Sequence, residues 1–509
     1  MGATVMGVDA ITIIVEVNVS MGQGYQIVGL PDIAIKESLQ RTESAIKSNG
    51  YSMPRIKVVI NLAPADIKKT GSAFDLPIAI GILAASDQLL QEAQIHKYML
   101  MGELGLDGTI HPIRGALAMA IRAKKENALG IILPAANANE ASMVEGLQVY
   151  GVKHLQEVVA FFATGKFAPT QQINPESFLS NEPTLSSIDF SEVSGQDNIK
   201  RALEIAAAGA HNVILIGPPG AGKTILAKRL PSILPPLNVV EALETTQIYS
   251  VAGKLAAGSY LVQTRPFRSP HHTISDIALI GGGRGMPHPG LVSMAHNGVL
   301  FLDEAPEFQL PALESLRQAL ESAEVSIARA GGAARFPARF QLVLAANPCP
   351  CGLAMSKTAA CRCSPSARQR YLARLSGPLL DRIDIRLRIR EVNAAQIELD
   401  RVNPTRPTSA VLRERVALAR SRSARRNRQL GFDLNAHAPS AALKRIFASH
   451  TNLTKPLDAA AKSGRLNLRG YDRCLRVALS VADLADREVQ QQDIATAMVL
   501  RGEDNLGVA

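Results

Sequence analysis

Runs of apolar residues divide the chain into two α/β stretches and a helical end. Residues 11–20 (ITIIVEVNVS) and 56–62 (IKVVINL) are short and β-branched, which predicts strands. Between them, residues 33–49 carry apolar positions at helical spacing behind Pro31 and Asp32, which predicts an amphipathic helix. Residues 1–165 therefore read as one α/β domain. Residues 166–188 (KFAPTQQINPESFLSNEPTLSSI) keep no period and are rich in Pro, Ser, Asn and Gln, as linkers are. Over 189–390 apolar strands alternate again with helices and Gly-rich turns, a second and larger α/β domain. From 391 to 509 only helical patterns remain, at 408–430, 470–485 and 492–501.

Composition narrows the class. An apolar fraction of 47% over 509 residues is that of a globular, multidomain chain. The N-terminus, MGATVMGVDA, has no basic segment ahead of an apolar block, so it does not read as a signal peptide. The longest apolar stretch, 76–85, is too short to span a bilayer and contains Pro77. The expectation is a soluble cytoplasmic protein with no membrane partner. A net charge of +10 suits a polyanionic partner such as nucleic acid. Five cysteines do not make a secreted disulfide scaffold, and four of them are bunched, which points to metal.

The chemistry concentrates in the second domain. Gly217, Pro218, Pro219, Gly220, Ala221, Gly222, Lys223 and Thr224 follow an apolar strand at 212–216 and open a helix at 224–230. That is the context of a P-loop, whose glycines turn backbone N–H groups toward phosphate oxygens. Lys223 would reach the β- and γ-phosphates and Thr224 would place its hydroxyl on Mg²⁺. A second apolar strand ends in Asp303 and Glu304. Asp303 would hold Mg²⁺ and Glu304 would orient the attacking water, so ATP and Mg²⁺ are the expected cofactors. Asn347 ends the strand at 341–346, where it could stand beside the γ-phosphate. Arg382 could neutralise transition-state charge on a neighbouring subunit's ATP, or pair with Asp381 or Asp384 on the surface.

GPPGAGKT, RPFRSPHHTIS, AHNGVLFLDEAPEF, LESLRQALE, ANPCPCG and LSGPLLDRIDI together resemble the magnesium-chelatase-like AAA+ family, and within it the ComM/YifB family. The resemblance covers essentially the whole chain. It implies Walker A at Lys223 and Thr224, Walker B at Asp303 and Glu304, sensor 1 at Asn347 and a trans-acting finger at Arg382. It places a sensor 2 helix at residues 468–473, with Arg469 as the sensor and Arg473 as the alternative, in a C-terminal helical lid. It further implies an insert in helix 2 near 247–290 and a hairpin before sensor 1 at 325–340, with Gly331 and Gly332 near its tip. These loops face the pore in such rings, which makes Lys254, Arg284, Arg329 and Arg335 candidate DNA contacts. Local loop packing is the alternative for each.

Residues 1–165 resemble the Lon and RadA domains, of the ribosomal S5 domain 2-like type. The Lon lysine position holds Met119, and Ser72 is out of register with the nucleophile, so the domain reads as non-proteolytic. Lys68 and Lys69 are offered as solvated loop residues that could touch phosphate. Cys349, Cys351, Cys361 and Cys363 form C-x-C pairs suited to structural Zn²⁺, to a reduced, metal-free loop or, against the reducing cytosol, to a disulfide, and Cys474 reads as core. The arginines between Arg413 and Arg428 read as a solvated face or an intersubunit surface, with direct DNA contact as the alternative. The expected activity is an ATPase driving a homo-oligomeric ring, a hexamer, along single-stranded or branched DNA. Helicase and branch-migration activity is what the resemblance implies. The rival reading is a protein-remodelling or chelatase-type motor acting on a protein client.

Overall fold

The structure, a computed structural model, describes the chain except residues 90–93, 180–187, 257, 284–285, 330–331, 357–359, 392–397, 399–405, 449–450 and 503–509. Arg284, Gly331 and part of the expected linker therefore lie outside the described residues. Within 166–188, Pro175–Leu179 forms a short helix.

The N-terminal part holds two small sheets. β1 (Gly2–Met6), β2 (Asp9–Ser20), β3 (Tyr25–Val28) and β4 (Lys57–Ala63) form one in the order β1-β2-β4-β3. β3 and β4 are parallel, and the other pairs are antiparallel. The helix Ile33–Ser48 begins where the sequence suggests, because Asp32 caps it by accepting from the Ile35 N–H. Its buried face, Ile35, Ala45 and Ile46, packs on the β4 residues Val58, Ile60 and Leu62. β5 (Tyr98–Leu100) belongs to the second sheet, and β6 (Glu103–Leu104) pairs with β7 (Ile110–His111) in a hairpin. β8 (Gly130–Pro134) joins β5 to β9 (Val149–Val152), all parallel.

The central part is an α/β core of AAA+ type. Its strands are β10 (Val213–Ile216), β11 (Phe267–Arg268), β14 (Val299–Leu302), β17 (Gln341–Ala346) and β18 (Ile385–Arg388). Between them lie two hairpins, β12 (Gly281–Gly282) with β13 (His288–Pro289) and β15 (Glu324–Arg329) with β16 (Gly332–Pro337). The sheet runs β11-β14-β17-β10-β18, wholly parallel. Apart from Gln341 at the start of β17, its inner strands are apolar because helices cover both faces. Val213, Leu215, Val343 and Ala345 face one core; Ile214, Ile216, Leu342 and Leu344 face the other. Burying each large aliphatic side chain is worth about 1.5–3 kcal/mol.

Three expectations change here. The 247–290 insert is shorter than its motif boundaries suggest. Val239–Ala252 is one continuous helix closed by Gly253, and β11 belongs to the main sheet, where Phe267 stacks on Phe301. Proline on either side holds β11 to two residues, too few to leave a strand signature. Only the stretch after β11 departs from the sheet, so Lys254 follows the helix end and is not on a hairpin.

Second, the helix expected to carry sensor 2 is not fastened at the nucleotide end. Leu468–Leu484 is anchored at the edge where the parallel strands begin. There Arg473 pairs with Asp384, and Ser480 Oγ lies 2.7 Å from His211 Nε2.

Third, the arginines of Ser409–Asn427 are largely bonded inside the protein. Arg413 donates to Ser232 O, Arg420 to Ala207 O, Arg415 pairs with Glu204 and Arg426 with Asp483. Arg415, despite its pair, and Arg425 and Arg428 are exposed.

No helix among the described residues is long and apolar enough to cross a membrane.

Candidate nucleotide-binding site

The loop after β10 is shaped for phosphate. Gly220 and Gly222 take φ values of +77° and +90°, where a side chain is strained, and nothing lies within 4 Å of a Cβ built on Gly220. Gly222 leads straight into the helix Lys223–Arg229, so free N–H groups and the positive helix end meet in one cradle. Lys223 is buried, and Nζ donates to Gly217 O (2.7 Å), Pro218 O (2.9 Å) and Asn347 Oδ1 (3.0 Å). Burial lowers its pKa, while Asp303 and Glu304 oppose the shift. Thr224 Oγ1 donates to Asp303 Oδ2 at 2.6 Å. A magnesium ion seated between that hydroxyl and carboxylate would face oxygen donors only, as it prefers. The donor set therefore fits MgATP. Lys223, Thr224, Asp303, Glu304 and Asn347 are brought together from three neighbouring strands.

Glu304 is the most exposed member. Its φ of +50° costs a non-glycine residue about 1–2 kcal/mol and directs its carboxylate into a small pocket with Ser269, Pro270, His271 and His272. His272 Nδ1 lies 3.4 Å from Glu304 Oε2. The histidine pair was visible in RSPHHTIS, but nothing in its spacing assigned a partner 32 positions away. Gln196 was missed as well: Nε2 donates to Ala221 O (2.8 Å), steadying the loop from the next segment. Glu304→Gln keeps the shape but cannot take a proton. It is expected to bind ATP normally and to hydrolyse it about 10²–10⁴-fold more slowly. Unchanged turnover would remove Glu304 from the site.

Arg382 and Arg469 lie elsewhere. Asn212, just ahead of β10, donates through Nδ2 to Arg382 O (3.1 Å), and its N–H donates to Asp384 Oδ2 (3.1 Å). The loop at Gly217 follows the other end of that four-residue strand, about 13 Å away at ~3.3 Å per residue. Arg382 is buried, paired with Glu321, and donates to Pro378 O at 2.5 Å. The surface pair with Asp381 or Asp384 is not what forms: Arg469 takes Asp381 (3.5 Å) and Arg473 takes Asp384. Burial first, then Arg317, Arg469 and Arg473, lower the Arg382 pKa, so cations are crowded at this edge.

Of the candidate DNA contacts, Lys254, Arg329 and Arg335 are exposed. The two hairpins lie side by side, with Met286 Sδ 3.3 Å from a Cβ built on Gly332, and Arg329 Nη2 3.5 Å from one built on Gly282. The Arg335 backbone packs against Gly7 of the N-terminal part.

Ser72 and Met119 of that N-terminal part, with Lys68, line one cavity of about 670 Å³ that Val251, Met286, Pro287 and His288 of the central part also border. The Ser72 hydroxyl donates to Glu103, not to a lysine. Lys69 is not a solvated loop residue. It is fully buried and donates to Gly29 O (2.9 Å) and Pro64 O, so no phosphate can reach it. Cys474 is buried in its helix.

Comparison with known proteins agrees with this architecture. Residues 189–397 match the family model described as magnesium chelatase, subunit ChlI; residues 15–137 match subunit ChlI of Mg-chelatase; residues 406–501 match the ChlI C-terminal model. An uncharacterised protein of Mycobacterium tuberculosis is 42% identical, covering 98% of this chain and 97% of its own length. The uncharacterised protein YifB of Escherichia coli is 41% identical, covering 98% and 96%. The competence protein ComM of Haemophilus influenzae is 40% identical, covering 97% and 96%. Because these relatives match it almost end to end and the family models cover both α/β parts and the helical C-terminus, the chain belongs to the ComM/YifB family of magnesium-chelatase-like AAA+ proteins.

Proposed function

We propose that the protein is an ATP-driven DNA translocase that works as a ring, a hexamer, and promotes branch migration during DNA integration or recombination. The observation that carries this reading is the placement of Arg382 and Arg469 at the sheet edge opposite the chain's own P-loop. An arginine finger there can serve only a neighbour's triphosphate. Head-to-tail contacts of that kind close into rings. Lys223 and Thr224 hold the phosphates and Mg²⁺ with Asp303, Glu304 activates water, Asn347 reads the γ-phosphate, and Arg469 serves the same neighbour as Arg382. Residues 1–165 act as a non-proteolytic Lon/RadA-like scaffold, 166–188 as a linker, 189–390 as the ATPase core and 391–509 as the helical domain.

Three features favour DNA over a protein client. The chain carries a net charge of +10, the paired hairpins expose Arg329 and Arg335, and one relative is named a competence protein. ATPase activity measured alone, with single-stranded DNA and with casein separates the readings. DNA stimulation and migration of a four-way junction are expected. Stimulation by casein alone would favour the remodelling motor, and casein degradation would make it a protease. Arg329→Ala and Arg335→Ala are each expected to reduce the salt slope of DNA binding by about 1 and to leave basal ATPase unchanged. An unaltered slope would take these residues off the DNA path.

A further inference from the structure

Four sulfurs converge beside the phosphate loop. Cys349 Sγ lies 3.4 Å from Cys351 Sγ and 3.6 Å from Cys361 Sγ, Cys351 and Cys361 are 3.6 Å apart, and all four including Cys363 fall within 4.8 Å. A disulfide needs about 2.05 Å, and all five cysteines are free. Zinc bound to four thiolates at about 2.3 Å sets the sulfurs roughly 3.8 Å apart, so a slight expansion admits one ion. Sulfurs this close leave room for a single ion between them and none for a multi-iron core.

The cysteine loop touches the nucleotide site twice. Asn347, two residues ahead of Cys349, accepts from Lys223 Nζ. Gly352, at φ +78°, lies so close to Pro219 that a Cβ would stand 2.7 Å from its Cδ and Cγ. The loop is therefore a wedge under the phosphate cradle.

We propose that Cys349, Cys351, Cys361 and Cys363 bind one structural zinc ion, and that this ion fixes the loop carrying Asn347 and supporting Pro219. The coupling half rests on the nucleotide site proposed above; the metal half does not.

Elemental analysis of full-length protein, purified without a histidine tag, is expected to find about one zinc per chain. The Cys351→Ser/Cys363→Ser variant is expected to lose it. Metal-free wild-type protein whose four thiols react at once with a thiol reagent would overturn the site, as would iron in place of zinc. Wild-type content decides this even if the double variant fails to fold. Gly352→Ala leaves every sulfur in place and pushes on Pro219. It is expected to retain zinc but to lower ATP turnover by about 10–100-fold, the scale of an ångström-sized misplacement. Full zinc with unchanged turnover would overturn the coupling. Zinc retained by a wild-type protein that never hydrolyses ATP would sink the nucleotide reading and leave the metal site standing.

Discussion

Arg382→Ala should lower ATP turnover of the assembled protein by about 10³–10⁵-fold while leaving nucleotide binding near normal. The size follows from where charge develops. The transferring phosphoryl group spreads negative charge over its oxygens, and a guanidinium pre-placed there acts only in the transition state. Glu321 now occupies Arg382, and Arg317, Arg469 and Arg473 crowd it from other sides. Exchanging one carboxylate for a phosphate keeps the charge balanced, so docking a neighbour's nucleotide need not expose an unpaired cation. A structural role for Arg382 would also lower activity, so the decisive measurement is mixing. Arg382→Ala chains retain a sound P-loop, and Lys223→Ala chains retain a sound finger. Mixed rings should recover activity at interfaces that join one good half to the other. Two pure variants that are inactive and stay inactive when mixed, though they co-assemble, would refute a finger acting between subunits.

Lys223→Ala is expected to reduce turnover by about 10²–10³-fold, the cost of removing one preorganised donor from a developing anion, and to weaken ATP binding as well. The lysine is already desolvated and its three donor contacts are all to oxygens around the loop, so swinging toward phosphate exchanges one set of oxygens for another. Alanine leaves the cradle's backbone amides in place but removes the only side-chain cation held within it among the described residues. ATPase and equilibrium binding of a fluorescent nucleotide, measured together, separate the two effects. Wild-type turnover in this variant would move the nucleotide site elsewhere on the chain.

Much of the site could be read along the chain because its parts are local. Gly217 to Thr224 must be contiguous for the amides to converge, and Asp303-Glu304 must close an apolar strand. Both constraints appear in sequence order. The same holds for the apolar runs at 213–216, 299–302 and 342–346, whose burial on both faces leaves no polar residue to interrupt them. What escaped were partners distant in sequence. His272 meets Glu304, Gln196 meets Ala221, and β11 is too short and proline-bound to announce itself. Lys69 sits in a polar-looking stretch, yet carbonyls of Gly29 and Pro64 draw it fully inside. The arginines of Ser409–Asn427 look like a solvated stripe, but their acceptors lie on other helices, such as Glu204 and Asp483.

The sequence by itself supplied the phosphate-loop motif, the α/β-then-helical order of the chain and the four candidate thiolate ligands, because each depends on residue type and short spacing. Only the tertiary structure decided that Arg382 and Arg469 stand at the far edge of the sheet from Lys223, and that the helix Leu468–Leu484 is fastened there. Which end of a parallel sheet a residue occupies depends on strand order and crossover direction. Those are set by packing two apolar faces under helices, and no stretch of sequence contains that sum.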